Sequence, residues 1–303
     1  MKCEALTPGA VVVSHELVKC EVGSILGTVP GGKLTADGSA TSYELRPPIV
    51  GVKRKLGELR SRKDLKDKPG RYVAEWLAIA CSAIGDVNLE GAAAGAGALA
   101  VCRLHVGDVL FLMLASRLHA SEDKLGLPDL ECPHCDAEIT GASVPVTDLE
   151  VMRFPRPADE EVIVNGATHF VSVGNPPLAR VGLKHGVDLG NGKRAYTLLF
   201  RSPLWGDTMW GLSGAQWANP TEIGVRTILG TCCGCELEGV ALTDAGRLTL
   251  EQLDGMHERD LELCEEAINR ISPTPILAAL LDCPACGKEI PTAIDWRVPG
   301  FFG

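Results

Sequence analysis

Three Cys-x-x-Cys pairs occur in the chain: Cys132/Cys135, Cys232/Cys235 and Cys283/Cys286. Two of them are near copies. LECPHCDAEI at 130–139 matches LDCPACGKEI at 281–290 in the Pro, the acidic residue and the Ile as well as in the thiols. A two-residue spacer lets both thiolates of a tight turn reach one metal ion, and two such knuckles supply the four ligands of a tetrahedral zinc site. The chemistry expected is structural zinc coordination by Cys132, Cys135, Cys283 and Cys286, in preference to an iron–sulfur cluster. Two other readings are pairs that are reduced and buried, or a redox-active pair, although no βαβ pattern frames either copy. His134 lies between ligands in sequence and is expected to be exposed rather than to bind.

A compact ribbon separates its knuckles by about 15–20 residues. Here about 150 residues intervene. The intervening chain must be an excursion from a ribbon that closes at its base. Loop closure costs entropy only logarithmically in length, and metal binding can offset it. The Cys232-Cys233-Gly234-Cys235 run is an additional candidate, with Cys232 and Cys235 either contributing to a metal or thiol cluster or lying at a strand end. Cys81, Cys102 and Cys264 fall in apolar or helical patterns and are expected to be buried thiols. Cys3 and Cys20 flank the first strand-like stretch and are either free or paired with each other.

Catalytic zinc needs an open coordination position and a general base. The chain has no HExxH, no HxE partnered with a PCxxC, and no GxSxG. GNGK at 190–193 lacks the upstream glycine and following Ser/Thr of a phosphate loop and reads as a turn. The expectation is a protein that is not an enzyme and takes no small-molecule substrate.

The elements that must position the thiols follow from periodicity and turn residues. Residues 10–47 read as β, with strand-like Val11–Val13, Val22–Val29 and Ser42–Leu45, a Pro30-Gly31-Gly32 turn, and a loop at Leu34–Thr41. Tyr72–Ile84 reads as a helix, and Gly91–Ala98 as a flexible connector. Val106–Ala120 is the clearest helix, with Asp108 as a cap and an apolar stripe of Leu110, Phe111, Leu114 and Leu118. Residues 160–201 read as two hairpins. Trp205, Trp210 and Trp217 are expected to pack in one core corner. Glu222–Leu229 and Leu250–Ile271 are helical, with Pro273 and Pro275 ending the latter. The fold class expected is α+β, with mixed helical and antiparallel β elements around a discontinuous zinc ribbon. Four regions result: 1–48 as an N-terminal β region, 49–127 as a helical region, 128–160 with 276–303 as the ribbon, and 161–275 as an inserted β-hairpin and helical region.

Composition narrows the function classes. At 303 residues and 46% hydrophobic content the chain can bury a substantial core. Aromatics are only 5% and net charge is −10, which disfavours base-stacking surfaces and bulk nucleic-acid binding. No apolar run reaches the roughly 18–20 residues that span a bilayer, and the first residues do not read as a signal peptide. The expectation is a soluble protein made in the cytosol, without membrane insertion. One segment runs against the acidic balance. Lys53–Arg71 holds nine basic residues, among them Arg60, Arg62 and Lys63, against three acidic ones. It reads as a solvated helix and loop, or as a docking face for an acidic partner subunit.

The order of these features resembles the baseplate hub assembly chaperone family of contractile phage tails and related injection systems. Four segments carry the resemblance: YELRPPIVGVKRKLGEL at 43–59; LHVGDVLFLMLASRLHASEDKLGLPDLECPHCDAEI at 104–139, a helix feeding the first knuckle; VTDLEVMRFP at 146–155; and LDCPACGKEIPTAIDWRVPGFF at 281–302. Together they cover about a third of the chain. Asp136 departs from the family in standing where such knuckles usually have Gly, and the N-terminal β region and the CCGC run are further departures. The resemblance implies other baseplate, hub and tail proteins as partners, a location in the virion at the tail baseplate, and a structural or assembly role. Trp296, Phe301 and Phe302 are natural anchors for such contacts. One alternative is a zinc-ribbon nucleic-acid-binding protein using Lys53–Arg71. A second is an assembly chaperone that departs before the particle matures.

Overall fold

A computed structural model describes residues 17–19, 26–30, 42–85, 87–90, 95–120, 123–152, 162–164, 168–171, 178–190, 192–237, 240–242, 247–272 and 274–296. Cys3, Val11–Val13, Cys20, the Leu34–Thr41 loop, Phe301 and Phe302 lie outside them. The described elements form the expected α+β class, with helices interleaved among antiparallel sheets.

The first part of the chain builds a helical core against a small sheet. It comprises β1 (Leu17–Lys19), β2 (Leu26–Thr28), β3 (Ser42–Leu45), α1 (Val50–Arg60), α2 (Pro69–Ala80), β4 (Cys81–Ile84), β5 (Val87–Asn88), α3 (Ala96–Cys102) and α4 (Val106–His119). Strands β2, β3, β4 and β5 pair in that order. The helix expected over Tyr72–Ile84 therefore stops at Ala80. Residues 81–84 are extended because they hydrogen-bond to β3, with Tyr43 opposite Ile84, and this pairing overrides local helical propensity. The sheet also crosses the boundary expected at residue 48.

The expected connector at Gly91–Ala98 is helical from Ala96 onward, while 91–94 lie outside the described residues. Its small side chains have a packing reason. A Cβ on Gly97 would come within 2.7 Å of the Ala78 Cβ, so glycine lets α3 lie close on α2. Helix α4 is buried from Gly107 through Ala115 rather than along one stripe. Its N-cap is His105, not Asp108, which occupies the first turn and is itself buried. Burying Leu112 and Leu114 completely contributes about 2 kcal/mol each.

Strands β6 (Lys124–Gly126), β7 (Leu130–Glu131), β8 (Glu138–Ile139), β9 (Ser143–Pro145) and β10 (Glu150–Met152) follow α4. The excursion then forms β11 (Val162–Val164), β12 (Thr168–Val171), β13 (Leu178–Gly190) and β14 (Lys193–Arg201). Short helices α5 (Trp205–Thr208) and α6 (Gly214–Trp217) lead to α7 (Pro220–Thr231), β15 (Cys232–Leu237) and β16 (Val240–Leu242). Strands β11 to β16 make one sheet in sequence order. The helix expected over Leu250–Ile271 is two helices, α8 (Leu250–Asp254) and α9 (Glu258–Arg270). Thr249 caps α8 through a reciprocal bond with Gln252, and His257 caps α9. These two caps satisfy N-terminal amides on either side of the break.

Helices α7 and α9 cover the β13–β15 face in a second core that includes Val181, Leu198, Phe200, Ile228, Cys264 and Ile268. Residues 205–217 of the excursion join the first core instead. Trp205, Met209, Leu212 and Trp217 are buried there. The Trp205 Nε1–H donates to the Gly70 carbonyl at 2.8 Å. A Cβ on Gly70 would lie 1.9 Å from the Met209 carbonyl oxygen, so this crossing needs glycine.

The chain returns through β17 (Thr274–Ile276), β18 (Ala278–Asp282) and β19 (Glu289–Ala293). Strand β10 is paired on one side by β1 and on the other by β17. Pro275 thus lies within a strand opposite Val151 rather than serving only to end a helix. This three-stranded sheet gathers the start of the chain, the start of the excursion and its end.

Candidate metal centre

Each knuckle joins the two strands of a short hairpin. In the first, Leu130 faces Ile139 and Glu131 faces Glu138 across β7 and β8. In the second, Leu281 faces Ile290 and Asp282 faces Glu289 across β18 and β19. The turns repeat the same backbone bonds. Cys132 N–H donates to the Ala137 carbonyl and Cys283 N–H to the Lys288 carbonyl, each at 2.9 Å. Asp136 N–H and Gly287 N–H return to the carbonyls of Cys132 and Cys283 at 2.9 and 2.8 Å. Both returning residues are left-handed, with φ of +57° at Asp136 and +69° at Gly287. The repeated Ile has a role that its side chain makes plain. Ile139 and Ile290 pack with Cys132 and Cys283 into a small core between the hairpins.

The four thiols meet. Cys132 Sγ lies 3.8 Å from Cys286 Sγ, and Cys135 Sγ lies 3.7 Å from Cys283 Sγ. All four sulfurs are within 4.8 Å of one another. A disulfide would need about 2.05 Å, whereas a tetrahedron of sulfurs about 2.3 Å from a central ion has edges of about 3.8 Å. The donor set therefore fits one metal ion with every coordination position filled by protein. Cys132 and Cys283 face inward, and Cys135 and Cys286 are exposed. Among the described residues this is one cluster of at least three metal-type ligands.

Electrostatics within the thiol cluster are uneven. Backbone N–H groups, first that of Cys286 and then that of Ala285, lower the Cys283 thiol to about 6 against the opposing effect of desolvation. At Cys135 the Ala137 N–H pulls downward, but desolvation and hydrogen bonds with the other three thiols outweigh it and raise the group to about 12. The two thiols are thus shifted in opposite directions, and an ion's charge is what would favour four thiolates together. His134 is exposed, and its backbone N–H donates to Cys132 Sγ at 3.4 Å.

The remaining candidates separate from this centre. Cys232 and Cys235 are buried in the second core on β15, remote from both knuckles in the fold. Burial pushes the Cys232 thiol up to about 11 and raises Cys235 as well. Cys232 Sγ has the Gly234 carbonyl as a partner at 3.7 Å. Cys232 and Cys235 therefore read as strand thiols facing a hydrophobic interior, while Cys233 is half-buried with its Sγ 3.4 Å from the Leu199 carbonyl. Cys81 and Cys264 are buried, as expected, and Cys102 is half-buried.

Trp296, expected as a partner anchor, packs within its own chain. Its ring centroid is 5.0 Å from Trp217 and 6.2 Å from Trp205. This extends the expected tryptophan corner, while Trp210 packs half-buried against the same core and takes the Arg71 guanidinium over its ring at 5.8 Å. The sequence signal for Trp296 was its closeness to the second knuckle, which delivers it to the first core.

Arg60, Arg62 and Lys63 are exposed at the end of α1 and just after it. Arg62 is held by Asp64 at 2.6 Å and by Glu75, and Arg71 by Glu75 at 2.9 Å. Part of the Lys53–Arg71 charge is therefore matched within the chain. The Arg62 hydrogen bond, opposed by slight desolvation, holds Asp64 below the usual carboxylate range. Among the described residues no helix is long and apolar enough to cross a membrane.

The fold and site define an α+β protein closed by a four-cysteine double knuckle. No protein-family model, curated protein or solved structure matches the chain.

Proposed function

We propose that this chain is a zinc-stapled, non-enzymatic structural or assembly component of a contractile phage tail or injection-system baseplate. The supporting observation is the closed four-thiol set formed by Cys132, Cys135, Cys283 and Cys286. Four thiolates in a tetrahedron are the ligand set and geometry of structural zinc, and leave no position for a substrate. The two knuckles also belong to the segments on which the baseplate resemblance rests, with α4 running into the first of them. An open groove of about 630 Å³ beside the ribbon supports a role in contacting other subunits. Val144, Pro145, Leu280 and Pro291 line it, and Leu280 is 64% exposed. The partners in this reading are other baseplate, hub or tail proteins, and the location is the virion's tail baseplate.

The nucleic-acid reading is weaker because Arg62 and Arg71 already have carboxylate partners, and a net charge of −10 opposes approach to a duplex. Quantitative mass spectrometry of purified particles tests the proposal. The expected result is this chain at a fixed ratio to tube or hub proteins. Presence in assembly intermediates with absence from mature particles would replace it with the departing-chaperone reading. Absence from both would overturn the baseplate assignment.

A further inference from the structure

The four thiols differ in exposure in a patterned way. Cys132 and Cys283 are 0% and 2% exposed, whereas Cys135 and Cys286 are open to solvent. Each knuckle thus contributes one buried, inner cysteine and one exposed, outer cysteine. The two outer sulfurs, Cys135 Sγ and Cys286 Sγ, lie within 4.8 Å of each other, beyond the about 2.05 Å of an S–S bond, so pairing them requires the two side chains to move together. Because they belong to different knuckles, a bond between them would span the whole excursion.

We infer that Cys135 and Cys286 form an oxidation site, at which a peroxide-class oxidant makes a disulfide that keeps the two knuckles joined when the metal leaves. The inference rests on reading the four thiols as a metal centre. One outer thiolate attacks the peroxide, an S–O bond forms, the O–O bond breaks and hydroxide leaves. The other outer thiolate attacks that sulfur, an S–S bond forms, the S–O bond breaks and a second hydroxide leaves. The thiolate pair loses two electrons and the peroxide gains them; two solvent protons convert the hydroxides to water. An ion held by the four thiols would thereby lose two of its ligands, while Cys132 and Cys283 remain as an inner dithiol packed with Ile139 and Ile290. A cross-link between sites this far apart in sequence removes many open conformations of the unfolded chain. Disulfides inside each knuckle, Cys132 to Cys135 and Cys283 to Cys286, would do the opposite and release the staple.

The test uses the full chain, with zinc per chain measured first. One equivalent of hydrogen peroxide is then added, followed by non-reducing peptide mapping and thermal unfolding in EDTA. The Cys135–Cys286 linkage is expected to exceed every other linkage at least tenfold, and the oxidised chain is expected to keep its unfolding midpoint in EDTA while the reduced chain loses it. A predominant linkage within either knuckle, or an oxidised chain that EDTA unfolds as readily as the reduced one, would overturn the inference. Limited alkylation of the untreated protein gives a check that needs no variant: Cys135 and Cys286 should react before Cys132 and Cys283, and the reverse order would count against the site. If the purified chain holds no metal, the metal reading fails and the inference that rests on it fails too. If one zinc is present and the linkage is wrong, the oxidation site alone fails.

Discussion

Asp136 and Gly287 hold the same left-handed position in the two knuckles. Aspartate tolerates this conformation better than most side chains, and glycine adopts it without a Cβ penalty. A Cβ at Gly287 would meet nothing within 4 Å, so replacing it tests the backbone alone. Gly287→Ala is expected to cost about 1 kcal/mol, read as a lower thermal midpoint, whereas Asp136→Gly is expected to leave the midpoint unchanged or raise it. Equal midpoints for Gly287→Ala and the parent would contradict this. His105 carries a different prediction. Burial, aided by the Arg201 charge, lowers its imidazole to about 4. Above an ordinary value of about 6.5 the group is neutral in both folded and unfolded chains. As pH falls from about 6.5 to 4 the unfolded chain takes up a proton that the folded chain refuses, so stability falls by about 3 kcal/mol over that window. Urea unfolding across pH 4–7 should show this slope, and His105→Gln should flatten it. A slope that His105→Gln leaves unchanged would assign it to other groups.

Residues 184–186 of β13 leave the ladder in a bulge, between the Gly182 and Val187 pairings, and α9 holds them there. The buried Asp260 carboxylate accepts the N–H groups of Lys184, His185 and Gly186 at 2.8, 2.8 and 3.1 Å. Asp260→Ala would leave those amides without their acceptor, at a cost of about 3 kcal/mol. A fall in the urea midpoint of that size is expected, and a change below about 0.5 kcal/mol would contradict it. This contact was not legible in the sequence, because it joins residues 76 positions apart. The same reason explains the misread end of α2. Residues 81–84 look helical locally, and only pairing with β3 makes them a strand. The Gly-rich stretch before Cys102 looked flexible because composition cannot distinguish looseness from close helix packing, and Gly97 against Ala78 decides the matter. What was legible had local causes. The hairpin between β13 and β14, helix α4 and both knuckles each follow from a periodicity or a spacer within a dozen residues. The duplicated Pro, acidic residue and Ile around the thiols were the strongest signal, since one chain repeated the same turn twice.

At the scale of the whole chain, the excursion between the knuckles is not a detached lobe. Trp205 and Trp217 tie it to the first core beside Trp296, while its sheet and α7–α9 form a second core. The β1-β10-β17 sheet gathers the excursion's two ends, and the four thiols close the ribbon just beyond them. Closing so long a loop costs chain entropy, and an ion bound to the folded chain would offset that cost. Under the proposed function the four thiols hold one zinc ion per chain. Elemental analysis of the purified protein by inductively coupled plasma mass spectrometry measures it directly. One zinc per chain is expected, retained through dialysis against metal-free buffer. Protein that is folded and carries neither zinc nor any other metal in stoichiometric amount would contradict it.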